Sequence, residues 1–233
     1  MNNLEIFLNL NNNEINAILV DKEKKNQIFY KDFDVENDFN DPKTVIDNLN
    51  KILKSLIIEF EKKINNPISK INLMIDDPET LSIHVSIKKN YDNKKILKNQ
   101  IEYLIQDLKQ QILRSNSDIK IGHIIVKNYF VDGEIYSQLP IGEVCTDLVI
   151  QTQFICFSKN FIDSLENLFA NYQIDINKII CTNYAKSLLD ADLNSLSEAG
   201  LKVIGGANIN EVLVNPKKLT KVGFFERLFH IFS

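Results

Sequence analysis

Tryptophan is absent from this chain, and glycine, proline, cysteine and histidine are scarce: seven, five, three and three among 233 residues. With so little glycine there is no G-x-G-x-x-G and no phosphate-loop lysine motif, so the usual backbone cradles for a nucleotide are missing. The pair Gly205-Gly206 reads as a turn. Cys145, Cys156 and Cys181 are odd in number, far apart and set in apolar stretches. That spacing speaks against a disulfide framework or a zinc site, and for buried thiols in a reducing cytoplasm. His84, His123 and His230 are isolated, without H-E-x-x-H, and the first two read as strand residues rather than ligands. The acidic run Asp76-Asp77-Pro78-Glu79 follows an apolar strand and reads as a capped turn rather than a cation site. Charges of both signs are mixed along the chain, for a net −4, without the basic footprint of a nucleic-acid binder. No apolar run reaches bilayer-spanning length, and the first residues carry no secretory pattern. No catalytic constellation can be assembled from these parts. The expectation is a cytoplasmic protein that is not an enzyme, holds no cofactor or metal, and binds no nucleic acid.

What the chain does have is an apolar fraction of 44%, ample for a core. Leu4 to Leu10 and Ile15 to Asp21 read as a hairpin around Asn11-Asn12-Asn13, with Gln27 to Val35 as a third strand. Asp41-Pro42 opens a helix whose buried face is Val45, Ile46, Leu49, Ile52, Leu53, Leu56, Ile57 and Phe60. Ile71 to Ile75 is a short strand, and Leu81, Ile83, Val85 and Ile87 alternate as a half-buried one. The spacing predicts a helix over Lys94 to Leu113, then strands over Ile119 to Phe130 and Asp147 to Phe157 around a turn at Asp132-Gly133. Ser158 caps a third helix, Ile174 to Cys181 returns as a strand, and Thr182 caps a fourth helix through Leu189. Leu201 to Val214 is open between a strand and a linker. Interleaved strands and helices make this a mixed α/β protein.

The last nineteen residues form a separate pattern, set off by Asn215-Pro216. Phe224, Phe225, Leu228, Phe229 and Phe232 recur at steps that place them on one helix face, with Glu226, His230 and Ser233 opposite. Lys217, Lys218, Lys221 and Arg227 make this end basic. The pattern predicts a helix lying in the plane of an anionic lipid surface, too short at about 15 Å to cross one. Docking of the same face on the protein's own core is the alternative.

In order and in several local motifs the chain resembles FtsA, the actin-like family that ties the bacterial division filament to the membrane. The hairpin Leu8 to Ile15 stands where that family has its first phosphate loop. Asp41-Pro42-Lys-Thr-Val-Ile-Asp47 matches the stretch before its long helix. Residues 132–158 resemble its small inserted subdomain, and Asn215-Pro216 through the phenylalanine-rich tail resembles its membrane-targeting end. The resemblance implies half of an actin-like, ribonuclease H-like fold with an inserted strand-helix-strand subdomain. Its implied division is a first subdomain over 1–118, an inserted subdomain over 119–181, a return segment over 182–214 and a membrane-targeting tail over 215–233.

Departures from the family are equally informative. Its phosphate-loop Asp, Gly and Thr align with Asn9, Asn11 and Asn12. These lack the charge for a hydrated metal and put side chains where phosphate needs close backbone approach. About fifteen residues, 200 to 215, stand where the family has its second half. The resemblance therefore implies an adaptor or scaffold of cell division without an ATP site, peripheral on the inner face of the cytoplasmic membrane. Its partners would be anionic lipid, division proteins such as FtsZ, and further copies of itself. The alternative reading is an actin-like scaffold of type IV pilus or secretion machinery that binds a peptide of an inner-membrane partner.

Overall fold

The computed structural model describes residues 3–36, 38, 40–77, 80–190 and 195–212. Strands β1 (Leu4–Leu10), β2 (Glu14–Asp21) and β3 (Asn26–Asp34) form an antiparallel meander. Helix α1 (Pro42–Ile64) then crosses over to β4 (Lys70–Ile75), which lies parallel to β1. Much later β9 (Asp175–Cys181) adds in parallel to β4, giving the sheet order β3-β2-β1-β4-β9. This order, with its second strand antiparallel, is that of a ribonuclease H-like half, as actin-like proteins are built. In β1 five consecutive residues, Ile6 to Leu10, are buried, a run that alternation allows only for a strand covered on both faces.

The helices supply that cover. In α1 Val45, Leu49, Leu53, Leu56 and Phe60 are the buried stripe, spaced as a 3.6-residue period requires. Pro42 occupies the first turn, where its missing N–H is harmless. Asp41 precedes it but directs its carboxylate to the Thr44 hydroxyl, 2.8 Å away. Helix α3 (Lys159–Ala170) packs on α1, and Ser158 caps it by accepting from the Phe161 N–H. Helix α5 (Leu196–Ile204) packs against β1, β2 and β9. There Gly200 admits the Phe7 ring, which a methyl group would meet at 2.5 Å.

Between β4 and α3 a second sheet is inserted: β5 (Leu81–Lys95), α2 (Lys98–Ser115), β6 (Ile119–Val131), β7 (Glu134–Tyr136) and β8 (Val144–Ser158). Its order is β10-β6-β8-β5, where β10 (Glu211–Val212) returns from the far end of the chain and β7 pairs with β6. Ile101, Ile105, Leu108 and Ile112 of α2 cover one face, meeting Ile124, Val126, Leu148, Ile150 and Phe154. The opposite face carries Ile125, Ile155 and Phe157, which belong to the core of the first sheet. Strand alternation thus sends neighbouring residues of β6 and β8 into different cores.

The second sheet draws on residues 81–158 and 211–212, so β5 and α2 belong with it, while α3 and β9 belong with the first sheet. Several expectations are corrected. Helix α2 starts at Lys98, not Lys94, because Asp92 and Asn93 take positive φ (48° and 59°), and the β5 ladder then resumes with Lys94 against Cys145. Asn and Asp are the side chains that tolerate that geometry best. The helix from Thr182 (α4, Thr182–Lys186) is five residues long, and the threonine hydroxyl is used elsewhere. The stretch left open after Leu201 finishes α5, turns, and forms β10. The three cysteines are buried free thiols, and burial holds Cys156 up to about 11, so their role is packing.

Candidate functional site

At the carboxyl end of β1, where an actin-like half would hold phosphate, the asparagines are committed inward. Asn9 is buried; its amide donates to the Asn16 carbonyl (2.7 Å) and its carbonyl accepts from the Thr182 hydroxyl (2.8 Å). Asn16 in turn donates to Asp32 (2.8 Å) and to the Tyr30 hydroxyl (3.3 Å). The register explains this row: Asn9 faces Asn16 and Asn16 faces Asp32 across adjacent strands. Burial, with Asp32 alongside, pushes Tyr30 up to about 12, so it stays a neutral phenol. Asn11 Oδ1 accepts from the backbone N–H groups of Asn13 (2.9 Å) and Glu14 (3.0 Å), closing the hairpin as an Asx turn. Asn12 is exposed. The hollow beyond, about 580 Å³, is lined by Asn11 to Glu14, Asp76 and Asn183, and Lys186 lies 3.7 Å from Asp76. Two carboxylates, and a turn in which the Asn11, Asn13 and Glu14 N–H groups are already bonded, are poor company for a phosphate.

The more elaborate chemistry lies at the seam between the two sheets. Period-two alternation in β6 sends His123 and Ile125 toward β9 and α4. Glu211 pairs with Ile125 and so faces the seam, while Val212 pairs with Ile124 and faces the α2 core. The Glu211 carboxylate, only 5% exposed, accepts from His123 Nδ1 (2.9 Å), Lys178 Nζ (3.2 Å) and the Tyr184 hydroxyl (2.8 Å). His123 Nε2 accepts from the Cys181 backbone N–H at 3.0 Å, which makes the ring a neutral Nδ1–H tautomer. Burial pushes the imidazole below its ordinary range, against the pull of Glu211. Burial alone would raise the Glu211 carboxyl; hydrogen bonds from His123 and Tyr184 and the Lys178 charge outweigh it and hold it at about 2. The Tyr184 ring lies 4.6 Å from the imidazole, and burial and Glu211 push its hydroxyl up, so it remains a donor. Donors from β6, β9 and α4 thus converge on one carboxylate from the far end of the chain.

Beside this seam runs a groove of about 840 Å³, bounded by α2, Tyr129, Leu139 and Ile209 to Val212. Tyr103 (74% exposed) and Ile209 (72%) stand on its rim.

The sequence reading located His123 in a strand but not its network, because its partner lies 88 positions away. One signal was available: a histidine at an inward position of an otherwise apolar strand needs a partner. Helix α5 had its own signal in Ser195-Leu-Ser-Glu198, a capping box, and Ser195 does accept from the Glu198 N–H. Phe224, Phe225, Leu228, Phe229, Phe232, Lys217, Lys218, Lys221 and Arg227 lie outside the described residues. Among the described residues no three metal-capable side chains converge, and no helix is long and apolar enough to cross a membrane.

No family model and no curated protein matches the chain. Three solved structures resemble it in fold. The cytoplasmic domain of EpsL, an inner-membrane component of the type II secretion system of Vibrio cholerae, is 12% identical, with 78% of this chain and 57% of that one covered and a TM-score of 0.36. The PilM–PilN type IV pilus biogenesis complex is 7% identical, with 78% and 48% covered and a TM-score of 0.46. A Bacteroides thetaiotaomicron protein of actin-like ATPase fold and unknown function is 12% identical, with 79% and 54% covered and a TM-score of 0.32. The chain spans about half the length of each. At such identities and TM-scores the likeness says nothing of what this chain does.

Proposed function

We propose that this chain is a non-catalytic, actin-like scaffold that holds an extended segment of an inner-membrane protein at the seam between its two sheets, as part of a pilus-like or secretion-like assembly. One observation carries the reading: the seam presents a strand edge and a set of buried donors, and the two-residue strand Glu211–Val212, entered from a turn closed by the Glu211 N–H on the Asn208 carbonyl, is already seated on them. Strand addition draws affinity from backbone hydrogen bonds and specificity from alternate side chains. The inward-committed Asn9 and Asn11 support a scaffold that works without ATP. The basic, phenylalanine-rich residues 215–233 support attachment to the inner face of the cytoplasmic membrane. The same tail favours a second reading, an FtsA-like division adaptor. In that family the grip on FtsZ belongs to the second half.

Two titrations test the proposal. Mg-ATP added to the purified chain at up to roughly millimolar concentration is expected to give no saturable heat; saturable binding contradicts an ATP-free scaffold. Anionic phosphatidylglycerol vesicles are expected to float the full chain but not a version ending at Val222. Flotation of both versions, or of neither, contradicts the membrane tether.

A further inference from the structure

Residues 205–212 form a strap that leaves the first sheet's side of the molecule and closes on the second. It starts at Gly205 and Gly206, the latter at φ +69°, a hinge no β-branched residue would occupy easily. Upstream, α5 is fixed by the contact of Gly200 with Phe7. Downstream, the strap touches β6 through a ladder of two residues and the bond from the Val126 N–H to the Asn210 carbonyl (2.9 Å). By contrast β6 meets β8 along almost its whole length. Asn208 reaches the Tyr184 hydroxyl (3.1 Å) and Asn210 the Ser137 carbonyl (2.8 Å), while Ile209 between them faces solvent. The ladder is too short to hold an edge strand by itself; the Glu211 carboxylate is the anchor.

Every side chain that grips that carboxylate belongs to elements that stand without the strap: His123 in β6, Lys178 in β9, Tyr184 in α4. His123 is held in its donor tautomer by the Cys181 N–H, independently of Glu211. The slot is therefore built from donors only, preset for a carboxylate and open to a strand on the β6 edge.

We propose that His123, Lys178 and Tyr184 form a receptor for the carboxylate of an extended peptide, and that the strap is its resident, exchangeable occupant. The ligand class is a short extended segment with an acidic residue pointing into the seam and an apolar residue next to it, the pattern Asn-Glu-Val of residues 210–212. The strap then acts as a built-in competitor: an incoming segment replaces its hydrogen bonds like for like, swinging it out about Gly205-Gly206. This rests on the scaffold reading and adds its regulation. Tethering makes the resident occupant effective at high local concentration, so a partner must match both carboxylate and strand.

The test uses a fluorescent peptide of residues 207–212, Ala-Asn-Ile-Asn-Glu-Val, and the same peptide with glutamine in place of the glutamate. The full chain carrying Glu211→Gln is expected to bind the acidic peptide at least tenfold more tightly than the native chain does, and tenfold more tightly than it binds the glutamine peptide. Equal binding of the two peptides, or no gain over the native chain, overturns the proposal. Native-state hydrogen exchange on the unaltered chain gives a second, independent reading should Glu211→Gln fail to fold. The Val126 amide is expected to exchange at least tenfold faster than amides of the β6–β8 ladder, through local opening. Exchange of Val126 only with global unfolding overturns the proposal. A partner that fails to engage the chain in cells, with peptide exchange intact, refutes the scaffold reading and leaves the receptor standing.

Discussion

Glu211 is charged, nearly buried, and bonded to donors from elements that are distant in sequence. Removing one partner of such a cluster strands the others, a larger effect than the net worth of the interaction. Glu211→Ala is therefore expected to cost about 3–5 kcal/mol in urea unfolding, against almost nothing for the exposed Glu23→Ala. The same residues set the pH dependence. His123 is held below its ordinary 6.5 and Glu211 below its ordinary 4.5, at about 2. For both, the unfolded chain takes up protons first, so stability is full above about pH 6.5 and falls as the pH drops. His123 accounts for the loss below about 6.5, and Glu211 for a further loss below 4.5 towards 2. Equilibrium unfolding from pH 8 to 3 checks this. Glu211→Gln should remove the further loss below 4.5 that Glu211 contributes and deepen the loss due to His123, whose imidazole no longer has the pull of that carboxylate. An unchanged profile counts against the assignment. The sequence signalled only that an inward histidine in an apolar strand needs a partner; that the partner is a glutamate 88 positions away was not legible.

At the scale of elements legibility was better, because local patterns report local structure. The meander, α1, α3 and most strands follow from period and capping, with errors where local chemistry competes. The Asp92-Asn93 pair keeps Lys94 and Lys95 in a strand although their charges carry no period of their own. Thr182 is a good capping type, yet Asn9 takes its hydroxyl, a contact 173 positions away. Helix α5 shows what such an element needs from tertiary packing. In Gly200→Ala, helix propensity gains up to about 1 kcal/mol, but the new methyl meets a fully buried Phe7 ring. Overpacking of this kind costs about 1–3 kcal/mol, so a net loss of up to about 2 kcal/mol is expected in urea unfolding. A stabilised variant would show that Phe7 has room to move.

The whole molecule joins two cores through β6 and β8, whose opposite faces serve different sheets. The strap crosses the same seam, so a segment bound there also reports on how the two sheets are joined. The mixed α/β order of elements was legible in the sequence; which residues make up the second sheet was not. That depends on β5 pairing with β8 across 49 to 75 positions, from Lys95 with Val144 to Leu81 with Cys156, a non-local choice that periodicity does not encode. The central claim is that the seam receives an extended segment of an inner-membrane protein. It is tested most directly by placing a photo-crosslinking residue at Tyr103 of α2, exposed on the rim of the groove and outside the strap, and irradiating living cells. The account predicts a crosslink from Tyr103 to a cytoplasmic segment of an integral membrane protein, stronger when Glu211→Gln loosens the strap. Crosslinks confined to soluble proteins, or unaffected by Glu211→Gln, would contradict it.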